Sequence, residues 1–241
     1  MIYKKTTAIH QPNFLPWIGF FNKIISADTF ILLDNVQYPK SGGAGNWTNR
    51  HLILHNGKER WATVPISRNF SGTKTINEIK IAQNTYWKED YLKKINYSYS
   101  NSKFFPDTYQ FLKDSFSYET QFLCEFNIHL IRAVLKVLEL PDNKLVKSSD
   151  FQITGKSNNL LCSLTKAVGA DTYICGSGAE SYMDKTVFEL NNISIVYQNY
   201  IASHYQQIGT TKFISGLSII DAMMNCGFKE TKKLVFGVDY V

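Results

Sequence analysis

Apolar and polar positions follow two different periods along this chain. Residues 6–10, TTAIH, are a short apolar run that Pro12 and Pro16 close, and they read as a strand. From Gly19 to Ala27 the period lengthens, with Ile18, Phe21, Ile24 and Ile25 on one face of a helix. Thr29 to Leu33 is then a continuous apolar run ending in Asp34, as expected of a strand buried on both faces of a parallel sheet. Strand, loop, helix and strand in this order form a βαβ unit.

Residues 38–50, YPKSGGAGNWTNR, read as a glycine-rich loop. Two apolar runs follow around His55-Asn56-Gly57-Lys58, and Asn-Gly between such runs predicts a hairpin. Ile76, Ile79 and Ile81 suggest one more short strand. Residues 85–140 carry helical periodicity with a break near Phe105-Pro106. The last third returns to mixed structure. LVKSSDF predicts a strand, Ser157–Val168 a helix capped by Ser157 and stopped by Gly169, and DTYICGSG a strand running into a loop. Glu180–Glu189 reads as a helix and Ile193–Gln198 as a final strand. In SIIDAMMNCG, Ser218 and Asp221 resemble a capping box, and Gly227 closes the helix.

These elements predict an α/β fold with a Rossmann-like, mostly parallel sheet and a helical insertion. Residues 1–84 form the N-terminal α/β half with its β-hairpin, 85–142 the helical insertion, and 143–241 the C-terminal half that completes the same domain. The 241 residues are 44% hydrophobic, enough for one substantial core. The net charge of +6 permits an anionic partner. The basic residues are scattered, however, and no nucleic-acid-binding signature is present, so DNA is not an expected partner. No apolar run is long enough to span a membrane, and the N-terminus lacks a signal-peptide core. The four cysteines (Cys124, Cys162, Cys175 and Cys226) show no CxxC pair or zinc spacing. The expected setting is cytoplasmic, with no metal.

Polar residues gather where the predicted strands end. They are His10 and Gln11, Asp34 and Gln37, Cys175 to Ser177, and Gln198 with Tyr200. In a parallel sheet these tips share one edge, the edge where open α/β sheets bind ligands. A histidine there has a pKa suited to general base catalysis, and Asp34 is placed to orient it or to receive an amine. Arg50 is a candidate phosphate or carboxylate clamp. Gly176-Ser177-Gly178 is a candidate backbone cradle for an anion.

Several separated segments resemble the WbqC-like family of bacterial O-antigen gene clusters. They are HQPNFLPWIGFFNKI, ADTFILLDNVQY, Asn49-Arg50, WATVPI, GADTYICGSGAESYMD, Tyr197-Gln198-Asn199-Tyr200 with Tyr205 and Gln207, and FISGLSIIDAMMNCG. The resemblance implies polar positions at His10, Gln11, Asp34, Gln37, Asn49, Arg50, Gln198, Gln207, Ser218 and Asp221. Relatives often carry His-Pro just after the Tyr200 position, where this chain has Ala202-Ser203, with His204 displaced. A second similarity is to nucleotidyltransferase-like α/β enzymes. PNFLPWIGF has the layout of their HxGH turn, with Trp17 and Phe20 standing where the two histidines would be.

The family resemblance implies work on amino sugars in surface polysaccharide synthesis. The expected activity is an acyl- or aminoacyltransferase forming an amide on a nucleotide-linked amino sugar. His10 and Asp34 would be catalytic. Gln11, Gln37, Asn49, Arg50, Ser177, Tyr182, Gln198, Tyr205, Gln207, Ser218 and Asp221 would bind substrate. The donor is left open among an acyl thioester, an aminoacyl-tRNA and an ATP-derived adenylate, and an acyl carrier is a possible partner. The alternatives are a non-catalytic sugar-nucleotide-binding protein of the same pathway and an adenylate-forming amide ligase.

Overall fold

In the computed structural model, residues 4–39, 46–83, 86–176, 178–179 and 183–237 are described. Five strands form one parallel sheet: β1 (Thr6–His10), β2 (Thr29–Leu32), β5 (Leu145–Lys147), β6 (Thr172–Cys175) and β7 (Ser194–Tyr197). Their order is β5-β2-β1-β6-β7, and every pairing is parallel. Chain order therefore reverses between β1 and β6, which makes that gap the topological switch point.

Alternating side chains divide the strands between two cores. Ala8, Phe30, Leu32 and Ile174 face one core, which holds α1 (Ile18–Ser26), α4 (Leu123–Val137) and α7 (Ile219–Phe236). Ile9, Ile31, Tyr173 and Cys175 face the other, which holds α5 (Ser157–Ala167) and α6 (Lys185–Leu190). This is a sheet with helices on both faces, the expected Rossmann-like α/β architecture.

The connection from β2 to β5 carries the remaining elements. These are a hairpin of β3 (Arg50–His55) and β4 (Lys58–Thr63), then α2 (Trp87–Tyr99), α3 (Phe105–Phe116) and α4. Asn56 and Gly57 turn the hairpin with φ of 50° and 68°, as the Asn-Gly pair predicts. Pro106 lies in the first turn of α3, where its missing N–H is no loss, so the break at Phe105-Pro106 is a helix start.

Five local expectations are corrected. Residues 76–78 form a 3-10 turn rather than a strand, because Thr75 and Glu78 cap it and only isolated bridges flank it. Ser157 is the first helical residue of α5 (φ 51°) and gives no capping bond. The sixth helix begins at Lys185, where the Asp184 side chain accepts from the Thr186 N–H. Ser218 does cap α7 by accepting from the Ile220 N–H, but Asp221 points into the core and does not reach back to it. Gly227 (φ 77°, ψ 172°) interrupts α7 without ending it; a Cβ there would stand 2.8 Å from the Phe104 ring.

Candidate functional site

The turn from β1 into α1 is buried rather than open. Asn13, Phe14 and Leu15 are almost fully enclosed. The Phe14 N–H donates to the Trp47 carbonyl, and Asn127 of α4 donates to the carbonyls of Pro12 and Thr48. Ser218 donates to the Leu15 carbonyl at 2.7 Å. The helical insertion, the hairpin and α7 thus fix the strand tip that carries His10 and Gln11.

Successive residues of a strand face opposite sides, so His10 and Gln11 separate. His10 lies on the α1 side, edge-on to Trp17 and Phe20 at 5.7 and 5.1 Å between ring centres. Its Nδ1–H donates to the Gln11 carbonyl at 3.1 Å, which leaves Nε2 as an acceptor. Burial, then the charge of Lys23, lowers its pKa to about 4. The imidazole is therefore neutral at physiological pH.

Gln11 opens into a cavity of about 880 Å³ on the α5 side. Asn35 and Gln37 line it from beyond β2, and Thr154, Lys156, Ser157 and Asn158 from the start of α5. The cavity spans the carboxyl ends of β1, β2 and β5, and its walls present amides, hydroxyls and one ammonium.

A second cavity of about 330 Å³ lies across the 37–38 peptide. Arg50 and Arg68 line it with Tyr38, Asn46 and Asn49, and no carboxylate is among the described lining residues. The Arg50 guanidinium sits 4.2 Å from the Trp61 ring and donates through Nε to the Asn46 carbonyl. Trp61, Trp47 and Trp17 continue as a row of edge contacts at 5.0 and 5.3 Å that ends on His10. Sequence periodicity did not reveal this row, because its members come from three separate segments.

The other expected site residues are engaged within the fold. Asp34 does not touch His10. Its Oδ1 accepts from the Ser148 hydroxyl and the Ser149 N–H, and its Oδ2 from the Ser149 hydroxyl, so it binds the tip of β2 to the end of β5. Asp221 is fully buried. It accepts from Tyr99 (2.9 Å), Tyr205 (2.8 Å) and Gln207 (3.0 Å). Burial raises its pKa against the pull of those three donors. Gln207 is further held by both backbone groups of Ile214. Gln198 donates to the Gly19 carbonyl and to Asn22, and Asn49 bonds Tyr38 and the Val64 carbonyl. Ser177 and Tyr182 lie outside the described residues. The Cys175 thiol is buried and its pKa is raised, which makes it an unreactive thiol.

Sequence reasoning missed Lys23. It lies on α1 with 4% exposure and donates to the Ile9 carbonyl at 3.2 Å. Burial lowers its pKa to about 8. Its position within an amphipathic helix gave no signal, since only the tertiary fold brings it to the strand tips.

Among the described residues, no helix is long and apolar enough to cross a membrane. No solved structure matches the chain. A protein of Mycobacterium tuberculosis (strain H37Rv) bearing the name "Uncharacterized protein Rv1507c" is 28% identical over 225 residues, which cover 92% of this chain and 94% of that protein. The model of the WbqC-like protein family matches residues 11–233. That span runs from the first strand tip to the last helix, through the wall of every cavity described above, and the chain belongs to the WbqC-like protein family.

Proposed function

We propose that this protein transfers an acyl or aminoacyl group to the amine of a nucleotide-linked amino sugar, in the cytoplasm, for surface polysaccharide synthesis. The observation that carries the reading is the 880 Å³ cavity at the carboxyl ends of β1, β2 and β5, with its hydrogen-bonding wall of amides, hydroxyls and one ammonium. Amides and hydroxyls from Gln11, Asn35, Gln37, Thr154 and Asn158 suit the hydroxyls of a sugar. Arg50 and Arg68 suit its phosphates. In the transfer step the sugar nitrogen attacks the acyl carbonyl, the C–N bond forms and the bond to the donor's leaving group breaks. His10 lines neither cavity, so the amine would have to pass the strand tip for Nε2 to accept its proton and return it to the leaving group. Asp34, occupied by Ser148 and Ser149, positions the strand tips.

The test is calorimetry with dTDP- and UDP-amino sugars, comparing wild type with Gln11→Ala and Gln37→Ala. Binding that weakens at least about tenfold in both variants supports the reading. Binding that ignores both substitutions, or no binding, removes it. One observation favours the non-catalytic alternative: an imidazole whose pKa is about 4 is a weak base. A sugar nucleotide that binds tightly yet is never acylated by thioester, aminoacyl-tRNA or adenylate donors would establish that alternative.

A further inference from the structure

Part of the wall of the 880 Å³ cavity is hydrocarbon. Leu33 and Val36 reach it from the exit of β2, Ile153 from the segment after β5, and Leu160 and Leu161 from the start of α5. Leu160 is buried in the second core, and the other four pack against that core while remaining half-buried. They are the margin of a core that continues to the cavity surface. Aliphatic side chains gathered in a concave wall mark a place that a ligand covers. Beside them, Gln11, Asn35, Thr154 and Asn158 bring amides and a hydroxyl, and Lys156 an exposed ammonium. Among the described lining residues, none is aromatic and none is a carboxylate. The smaller cavity differs, with Tyr38 and Phe70 beside its two arginines. In the larger cavity a nucleobase finds no ring to stack on among these residues. A sugar alone would turn hydroxyls, stripped of water and unpaired, toward the leucines, which is costly. A hydrocarbon chain that ends in a carbonyl matches both parts of the wall.

We propose that the patch of Leu33, Val36, Ile153 and Leu161 holds the hydrocarbon chain of an acyl group, whose carbonyl end lies against the amides and the Lys156 ammonium. The group transferred is then an aliphatic acyl chain rather than an aminoacyl or charged one. This names the acyl group of the reaction proposed above and rests on that reading for its role, while binding of the chain is tested without any sugar.

The experiment is calorimetry with butanoate, hexanoate and octanoate, the carboxylate standing in for the acyl carbonyl, and with octanedioate, which ends the same chain in a second charge. We expect a single site whose affinity rises up to about fourfold for each added methylene. Octanedioate should bind at least about tenfold more weakly than octanoate, because its second carboxylate meets the leucines. Ile153→Ser and Leu161→Asn change half-buried positions, so both variants should fold, and each should lower octanoate affinity at least about threefold and flatten the rise with chain length. Lys156→Met should weaken all three chains by a similar factor and leave that rise unchanged. No octanoate binding at about 10 mM, affinity that ignores chain length, a rise that both Ile153→Ser and Leu161→Asn leave intact, or equal binding of octanedioate overturns the acyl-chain subsite. Octanoate binding by a protein that ignores amino-sugar nucleotides keeps the subsite and removes the sugar, and the converse result removes the subsite and keeps the sugar.

Discussion

Two buried histidines make the stability of this protein fall steeply in mild acid. His51 is fully enclosed against Phe14 and Tyr91, and burial lowers its pKa to about 3. His10 is lowered to about 4. In the unfolded chain each returns to its ordinary value near 6.5. Between about pH 6.5 and pH 4 the unfolded chain therefore binds more protons than the folded one, and stability falls as pH falls. At pH 5.5 an unfolded histidine is about nine-tenths protonated, which gives a slope of about 1.2 kcal/mol per pH unit for each residue. Together they remove about 4–5 kcal/mol between pH 6.5 and 4.5, a large part of the stability of an ordinary domain. His10 is partly exposed, and its remaining water contact reduces its share, so the slope lies between one proton and two. Urea unfolding followed by tryptophan fluorescence at pH 6.5, 5.5 and 4.5 measures it directly, provided the m-value stays constant. His10→Gln should lower the slope by up to one proton's worth and leave the His51 share. A slope below about half a proton, roughly 0.7 kcal/mol per pH unit, would refute the reasoning.

Other expectations follow from the hydrogen-bond map. Asp34→Ala strands the Ser149 N–H and hydroxyl and should cost about 3–5 kcal/mol, while Asp34→Asn costs about 1–2 kcal/mol; the imidazole ¹⁵N shifts of His10 should be the same in Asp34→Asn and wild type, and a change of tautomer would return Asp34 to the orienting role. Tyr99→Phe removes a hydroxyl that donates to Asp221 and accepts from the Leu54 N–H, and should cost about 2–4 kcal/mol in urea unfolding. A cost below about 0.5 kcal/mol would show that water replaces that hydroxyl. Gly57→Ala places a Cβ 2.4 Å from the Gly209 carbonyl at a φ of 68°, so the melting temperature should drop by several degrees, and an unchanged value would contradict the close approach.

The sheet was legible in the sequence because its strands are short apolar runs between strong breakers, and β1-α1-β2 falls within 27 residues. The Asn-Gly hairpin was legible for the same local reason. The start of the sixth helix was not, because Asp184 rather than an earlier residue satisfies its first turn. The candidate site shows the same division. Period-two alternation already separates His10 from Gln11, but composition does not reveal whether a polar residue faces a cavity or another polar residue. Asp221, Gln207 and Gln198 look like ligand contacts in the sequence and are consumed by Tyr99, Ile214 and Gly19 in space. Lys23 is the reverse case: a surface-type residue in the sequence, drawn inward by one orphan carbonyl.

The long β2-to-β5 connection also sets the order in which the chain can fold. Strands β1 and β2 can pair as soon as the first βαβ unit is made, since their contacts are close in sequence. The far side of β2 then waits for β5, which follows only after the hairpin and three helices have been synthesised. At ribosomal speed that interval is about 5–20 seconds, during which Phe30 to Leu32 present an open apolar edge. Before β5 arrives, protection of that edge rests on chaperones or on early collapse of the insertion.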